Sequence, residues 1–235
     1  LWLPLAIAEY VRFTCDESIL DERVTFLKER SLARDEDELF GAPAITRERA
    51  SVYAHCARAL DWAVARTADA PPNSAGSNWL LVEALREFGA LAKTRGDAAR
   101  VARNDAELAR LARAAPREDA REDDSPFASL QRAAVLGDGA ASELFAMLDP
   151  IRRSDSAEKM ERYAAEPYVV AGELRDGRGE RTWSTGAAGW MLRVALERIL
   201  GLRREGARLR IEPRVPSAWE RFEVEIRDGA GVVHV

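Results

Sequence analysis

The chain has 235 residues, of which 47% are hydrophobic and 32% are charged. This is the composition of an ordinary globular protein, and it excludes wholesale disorder and fibrous repeats. The net charge is -5 and no long block of lysine and arginine occurs, so we predict no nucleic-acid partner. Two cysteines, Cys15 and Cys56, indicate a reducing compartment rather than a disulfide framework, which predicts a cytoplasmic location.

The chain opens on an apolar stretch, LWLPLAIAEYV. This stretch is too short to span a bilayer and has neither the basic start nor the cleavage site of a signal peptide. We therefore predict no membrane segment in this chain and a first helix of about 14 residues, ended by the polar residues of Thr14–Glu17. Because this helix has a buried character and begins without a methionine or a capping residue, we expect the chain to be a fragment of a longer protein.

Helical patterns continue along the first half. Thr46 is a candidate N-cap, and apolar residues then recur with a helical period from Val52 to Val64. Proline, asparagine and glycine in residues 70–78 predict a loop, after which a helix is expected from Trp79 to Ala92. Asp97 is positioned to cap a further helix.

The middle and the end of the chain differ in pattern. Residues 114–125 are charged without an apolar period, which predicts a surface linker or junction, and helices are expected near residues 127–136 and 140–148. Strand patterns then follow at residues 168–171, 208–212, 222–227 and 231–235. The sequence thus predicts a mainly α fold with a C-terminal antiparallel β part, a sheet buried on one face.

The stretch Trp183–Met191, which reads WSTGAAGWM, has the pattern of a helix start. Ser184 or Thr185 can cap it, and the first backbone N–H groups of a helix attract anions. We predict that Thr185 and Gly186 contact a phosphate or sulfate and that Trp183 faces a sugar. The alternative is an ordinary cap followed by small residues for close helix packing.

The other candidate clusters are weaker. His55 and Cys56 are neighbours and point to different sides of a helix, so we predict no metal site. Alternation places Arg208 and Arg210 on the outer side of a strand, which favours a solvated face over an acidic partner for the cluster around them. That cluster comprises Arg203, Arg204, Arg208 and Arg210.

Ordered segments of this chain resemble the C-terminal part of the inverting glycoside phosphorylases. This is glycoside hydrolase family 94, typified by cellobiose and chitobiose phosphorylase and including the phosphorylase region of cyclic β-1,2-glucan synthases. The segments that carry the resemblance are LWLPLAIAEYV, LDERVTFL, SVYAHCARALD, ELFAMLDPI, EPYVVAGE, WSTGAAGWM and ILGLRREGARLRIEPRVPSAWERFEVEIR.

The resemblance implies an α/α toroid and a reaction in which phosphate splits a β-glucoside with inversion to give glucose 1-phosphate. In the family, part of the phosphate contact comes from a Thr-Gly pair that matches Thr185 and Gly186. The family's proton donor lies in a GDWNDG-type loop that this sequence lacks after the helix ending near Arg66. Asp61 belongs to that helix itself, and Asp69 lacks the motif around it, so we assign no catalytic residue. A family segment that ends in a histidine is also absent between Arg110 and Leu136.

These inferences predict an incomplete (α/α)6-toroid-like helical region at residues 1–165, with a junction near 114–125. A strand and the pocket helix follow at 166–202, and a β region at 203–235. The expected function is that of a glycoside-phosphorylase-like, carbohydrate-active domain, inactive or impaired without the acid motif. Its expected partners are a β-glucan or β-glucoside, inorganic phosphate as co-substrate without a cofactor, and the remaining segments of a larger protein. The alternative is a non-catalytic structural or sugar-binding module.

Overall fold

The structure is a computed structural model, and it describes residues 1–30, 33, 41–68, 75–114, 126, 129–130, 133, 140–166, 168–183, 185–228 and 231–234. Two compact units are present: Leu1–Arg117 with Arg204–Arg208, and Glu118–Arg203 with Leu209–Val235. The described part is mainly helical with small antiparallel strand pairs. None of its helices combines the length and the apolar character that crossing a membrane requires.

The first unit is a helical core with one hairpin. Its elements are α1 (Trp2–Thr14), a 3-10 turn (Ser18–Asp21), β1 (Arg23–Lys28), β2 (Ala44–Ser51), α2 (Val52–Ala68), α3 (Ala75–Thr94) and α4 (Ala98–Ala114). Helix α3 packs against the other three helices. Its apolar residues Leu81, Leu85 and Phe88 are fully buried, and the ring of Phe88 stacks on that of Tyr53 at 4.9 Å. Burial of this stripe is what stabilises the unit.

The second helix starts later than the sequence predicts. Thr46 is not an N-cap, because Ala44–Ser51 forms β2 and pairs antiparallel with β1. Ser51 takes the capping role instead, since its hydroxyl accepts a hydrogen bond from Ala54 N at 3.2 Å. The helical period of the sequence begins only at Val52, and pairing with β1 overrides the weak local cap signal of Thr46.

The cap predicted for the fourth helix is confirmed. The carboxylate of Asp97 accepts a hydrogen bond from Arg100 N at 2.9 Å and a second from the Tyr53 hydroxyl at 2.8 Å. Gly96 ends α3 with φ +73°, a conformation that glycine adopts without strain. At its other end, helix α3 begins at Ala75, which is inside the loop predicted for residues 70–78. Residues 70–74 of that loop lie outside the described part.

The second unit combines short helices and hairpins. The elements that follow along the chain are α5 (Ala140–Leu148), α6 (Pro150–Arg153), α7 (Ala157–Tyr163), β3 (Glu173–Arg175), β4 (Arg178–Glu180), α8 (Thr185–Arg193), a π-helical segment (Val194–Ile199), β5 (Leu202–Glu205), β6 (Arg208–Ile211), β7 (Glu225–Asp228) and β8 (Gly231–His234). Of these, only Arg204–Arg208 in the β5–β6 hairpin are grouped with the first unit. The π-helical segment packs on α5. Helix α5 has the predicted bounds. Of the helix predicted at residues 127–136, only Ser129, Leu130 and Ala133 are described, all three helical.

Residues 168–171 are not a strand. The hydroxyl of Tyr163 donates to Val169 O at 2.8 Å and accepts from Ala171 N at 3.1 Å, so a side chain occupies backbone groups that a strand ladder would use. Tyr168 also has φ +65°, which breaks an extended run. The first strand of this region is β3, which pairs with β4 through the turn at Asp176 and Gly177.

The C-terminal strands form two separate hairpins, β5–β6 and β7–β8, rather than the single sheet that the sequence predicts. Strand β7 begins at Glu225, so Phe222 and Val224 lie outside it, although both remain less exposed than their neighbours. Each hairpin satisfies its backbone by local pairing, and alternation alone does not specify which strands become neighbours. Closure of the helices into a toroid and the three-region division of the chain stay predictions.

Candidate functional site

The motif Trp183–Met191 leads into a helix that begins at Thr185. Ala187 and Trp190 are buried, with Trp190 5% exposed, and they anchor the first turns of α8 in the second unit. Gly186 is exposed. Because glycine carries no side chain, the backbone at Gly186 is open to solvent. The N–H groups there have no partner within the helix and lie at its positive end, which favours an anion. Ser184 and the side chain of Thr185 lie outside what the structure describes.

Trp183 lies just before this helix, and its side chain is 86% exposed. Its indole N–H donates a hydrogen bond to the carboxylate of Glu166, which also accepts one from the Thr182 side chain. An indole has one donor and no acceptor, so its interaction with the carboxylate uses one edge of the ring, while most of the ring surface stays open to solvent. A tryptophan held in this way is suited to stack on an apolar sugar face.

Glu166 was not among the sequence-predicted residues, although its contact holds Trp183. The pKa of its carboxyl is lowered by a hydrogen bond from its own backbone N–H, then by those from Thr182 and Trp183. The lowered pKa keeps this carboxylate ionised, so Glu166 is a poor proton donor. Glu166 precedes the hairpin β3–β4 and Trp183 follows it. The antiparallel pairing of the two strands brings the residues before and after the hairpin close together in space. The signal that the sequence offered was Asp176-Gly177, a dipeptide typical of two-residue hairpin turns.

Asp61, which resembles the family acid superficially, is part of an ion-pair network in the first unit. Arg100 donates to its two carboxylate oxygens at 2.7 and 3.0 Å, and Arg103 donates to one of them at 3.2 Å. The pKa of Asp61 is lowered, mainly by the hydrogen bonds from Arg100. A general acid in glycoside cleavage needs a raised pKa, so the geometry agrees with assigning Asp61 no catalytic role. Asp69 lies outside the described residues.

His55 and Cys56 point to different sides of α2. The ring of His55 stacks on Phe26 at 3.7 Å, and its Nε2 lies 3.2 Å from Val24 O, whereas Cys56 is buried. Burial raises the pKa of the Cys56 thiol to about 12, which leaves it unreactive. The described side chains of His, Cys, Asp and Glu form no group of three placed to hold a metal ion.

A shallow cavity of about 550 Å³ adjoins His55 in the first unit. Trp62 lines it and is 64% exposed, with the Arg66 guanidinium 4.7 Å from the ring centre. Its remaining wall mixes apolar residues with Lys28, Glu48 and Arg58. The side chains of Glu48 and Arg58 are both exposed and form an ion pair, with 3.0 Å between Arg58 Nη1 and Glu48 Oε1. None of the residues predicted for a site lines this cavity.

A family model described as the catalytic domain of the glycosyl hydrolase 94 superfamily matches residues 123–201. The matched segment contains both Glu166 and the whole motif Trp183–Met191, so the exposed helix start and its tryptophan lie inside the family domain.

Curated relatives match more of the chain. The chain is 27% identical over 347 residues to the cyclic beta-(1,2)-glucan synthase NdvB of Rhizobium meliloti (strain 1021). This alignment covers 97% of the chain and 12% of that protein. It is 30% identical over 103 residues to the N,N'-diacetylchitobiose phosphorylase of Vibrio furnissii, covering 43% of the chain and 13% of that protein. The corresponding enzyme of Vibrio proteolyticus is 30% identical over 98 residues, 40% of the chain and 12% of that protein.

The chain therefore spans only about an eighth of the length of these curated relatives. The alignment with the glucan synthase runs over 347 residues although this chain has 235. The relative thus has internal segments without a counterpart in this sequence, in line with the missing motifs of the resemblance.

Proposed function

We propose that this chain, which these comparisons assign to the glycosyl hydrolase 94 superfamily, supplies the phosphate and sugar contacts of a glycoside phosphorylase site but not its proton donor. The observation that carries the proposal is the solvent-exposed Gly186 in the first turn of α8, three residues after the exposed Trp183, which interacts with Glu166. Thr185 and Gly186 are the proposed phosphate contacts, and Trp183 is the proposed sugar contact.

The proposed chemistry follows from what each group does. Phosphate bound at the helix start attacks the anomeric carbon, a new C–O bond forms with inversion, and the glycosidic C–O bond breaks. The leaving oxygen then takes a proton from a carboxylic acid, and glucose 1-phosphate is released. The helix start lowers the cost of concentrating negative charge at this position. The co-substrate is inorganic phosphate, and the sugar is a β-glucan or β-glucoside.

The proton donor is the part for which no residue is proposed. Asp61 and Glu166 both have lowered pKa values, whereas the reaction needs a carboxyl that is still protonated near neutral pH. The GDWNDG-type loop is absent from the sequence. The chain alone is therefore a binding domain for phosphate and sugar and does not turn over, unless segments of a larger protein complete the site.

An assay of the full chain with β-linked glucans in phosphate buffer tests this proposal. We expect no release of glucose 1-phosphate and a rise in melting temperature with millimolar phosphate, because a ligand that binds only the folded state stabilises it. Thr185→Val should reduce that rise, whereas Thr94→Val, on the exposed end of α3, should leave it unchanged. Release of glucose 1-phosphate would show that another residue donates the proton. If Thr185→Val leaves the phosphate-induced rise in melting temperature unchanged, the anion does not bind at α8.

A non-catalytic sugar-binding module remains the second candidate, favoured by the exposed and anchored ring of Trp183. It predicts that a β-glucan stabilises the chain equally with and without phosphate. A phosphorylase site predicts that phosphate and the glucan strengthen each other's binding, because both reactants occupy adjacent positions.

A further inference from the structure

A cavity of about 270 Å³ lies in the second unit, bounded by the helices α5, α6 and α7 and by the turn between β3 and β4. None of the residues proposed to contact phosphate or sugar lines it. Of the described residues that do, four carry a positive charge and none carries a negative one. The lining residues are Met147, Arg152, Arg153, Lys159, Arg162, Tyr163 and Gly177.

Arg153 is half-buried at this cavity and has no acidic partner. Its Nε donates to Met147 O at 2.9 Å, which satisfies a carbonyl group near the end of α5. This contact leaves the two Nη groups, and no carboxylate in the described part of the chain forms an ion pair with them. Burial raises the pKa of the Tyr163 hydroxyl, and the positive charge of Arg153 opposes that rise. A cation partly withdrawn from water in this way is stabilised by an anion.

The turn of the hairpin β3–β4 holds a second guanidinium group at the cavity. Arg162 Nε donates to Asp176 O at 3.5 Å, and a Cβ on Gly177 would lie 2.5 Å from that Nε. The glycine therefore leaves the space that the guanidinium group occupies. Glu158 lies one helical turn before Arg162 on α7, yet neither it nor any other described carboxylate forms an ion pair with Arg162. Both guanidinium groups are thus positioned through Nε, with their Nη groups left for a ligand.

The other two cations of the lining have carboxylates nearby. Lys159 pairs with Asp155 at 2.8 Å, and Arg152 Nε lies 3.8 Å from a carboxylate oxygen of Asp149. The carbonyl end of α5 amounts to about half a negative charge and offsets part of the guanidinium beside it. The two guanidinium groups positioned through Nε therefore leave an excess of about one and a half positive charges at the cavity.

We propose that this cavity binds a phosphate ester, with the phosphate on Arg153 and Arg162 and an apolar substituent against Met147. Guanidinium groups donate paired hydrogen bonds to phosphate oxygens, and a phosphate dianion matches the excess of positive charge more closely than a carboxylate does. Met147 and the ring of Tyr163 give the lining apolar surface that a hydrocarbon group can cover. Arg162 is exposed, so a ligand can reach the cavity from solvent.

Titration of the full chain with phenyl phosphate at constant ionic strength, followed by calorimetry, tests the proposal. The Thr185→Val background removes the contact proposed at α8, so that a failure of that proposal and a failure of this one are told apart. In that background we expect phenyl phosphate still to bind and Arg153→Gln to weaken the binding about tenfold. The matched control is Arg227→Gln, which makes the same charge change at a side chain that is 83% exposed and should alter the affinity less than about twofold.

Arg162→Gln is the second variant, because Arg162 is exposed and its replacement spares the helix end that Arg153 binds. It too should weaken the binding of phenyl phosphate several-fold. Inorganic phosphate should bind about tenfold more weakly than phenyl phosphate, since it has no apolar group to bury. Equal affinities for the two ligands would overturn the assignment of an ester. Loss of all phenyl phosphate binding in Thr185→Val, or equal affinities of the Arg153, Arg162 and Arg227 variants, would overturn the site itself.

Discussion

Asp61 beside Trp62 and Glu166 near Trp183 are two pairings of an acid with a tryptophan, and they differ in what the acid contacts. In the first unit Asp61 precedes Trp62, and the carboxylate contacts Arg100 and Arg103. In the second unit Glu166 lies far along the chain from Trp183, and the carboxylate contacts the indole itself. The first acid stabilises the packing of α2 against α4, whereas the second orients a ring that solvent can reach. Whether an acid and a tryptophan are neighbours in the sequence thus says less about a site than which groups the carboxylate contacts.

The largest expected effect concerns Asp61. The Arg100 side chain is 10% exposed, so Asp61→Ala leaves a nearly buried guanidinium without its carboxylate. We expect a loss of about 2 kcal/mol in the free energy of unfolding, measured with urea. Glu48→Ala, which breaks an ion pair whose members are 63% and 62% exposed, is the matched control and should cost about 0.5 kcal/mol or less. Equal losses in the two variants would contradict the contrast between a partly buried and an exposed pair.

The same pair should give the first unit an acid-sensitive contribution to stability. Because the folded state lowers the pKa of Asp61 below 3.8, the contribution is present above that value and disappears as the pH falls through the folded pKa. Asp61→Asn should therefore show a smaller loss of stability than the wild type between pH 5 and about pH 2, followed by circular dichroism. A parallel pH dependence in both proteins would show that Asp61 has an ordinary pKa.

A smaller effect is expected at Trp183, and in binding rather than in stability. The ring is 86% exposed, so Trp183→Ala should change the free energy of unfolding by about 0.5 kcal/mol or less. Loss of stacking should weaken binding of a β-glucan about tenfold in calorimetry. Trp62→Ala, which removes another exposed tryptophan, serves as the control and should bind the glucan as the wild type does. Equal weakening by both substitutions would mean that the two regions do not differ in function.

The smallest effect is expected at Glu166, which acts through Trp183 as a positioning residue. Glu166→Gln keeps an acceptor for the indole N–H and should weaken glucan binding about twofold, whereas Glu166→Leu removes the acceptor and should weaken it more. Time-resolved anisotropy of the Trp183 fluorescence, with the other tryptophans replaced by phenylalanine, reports the freedom of the ring. Faster ring motion in the leucine variant alone is expected; unchanged motion in both would separate Glu166 from the indole.

Local signals predicted the elements that local contacts decide. The cap at Asp97 and the bounds of Ala140–Leu148 each depend on residues within a few turns of a helix. The alternation predicted for β6 is confirmed only in part, because Leu209 is half-buried but Ile211 is 44% exposed. The errors arose where distant residues decide the structure. Thr46 lies in a strand because the residues on either side of it, such as Ile45 and Arg49, pair with β1, and the backbone of residues 168–171 bonds to the hydroxyl of Tyr163 instead of to a strand.

The candidate site divides in the same way. The start of a helix at Thr185 was predicted from the small and capping residues around it, since helix starts have a local pattern. The contact of Glu166 with Trp183 has no local pattern, because it depends on the hairpin between them. Alternation correctly placed Arg208 and Arg210 on an exposed face. The hydrogen bond from Glu212 N to Gly201 O, which holds the chain after β6 against the end of the helix, has no local pattern either.

The hairpin β3–β4 also limits how the length of this region can vary. Glu173 faces Glu180 and Arg175 faces Arg178, and the crowded position of Gly177 beside Arg162 fixes the turn. Residues added beyond the turn in pairs would preserve which side of the hairpin each side chain occupies. A single added residue would move every following side chain of that strand to the opposite side of the hairpin. Related chains that keep the tryptophan in contact with its acid should therefore differ in hairpin length by even numbers of residues.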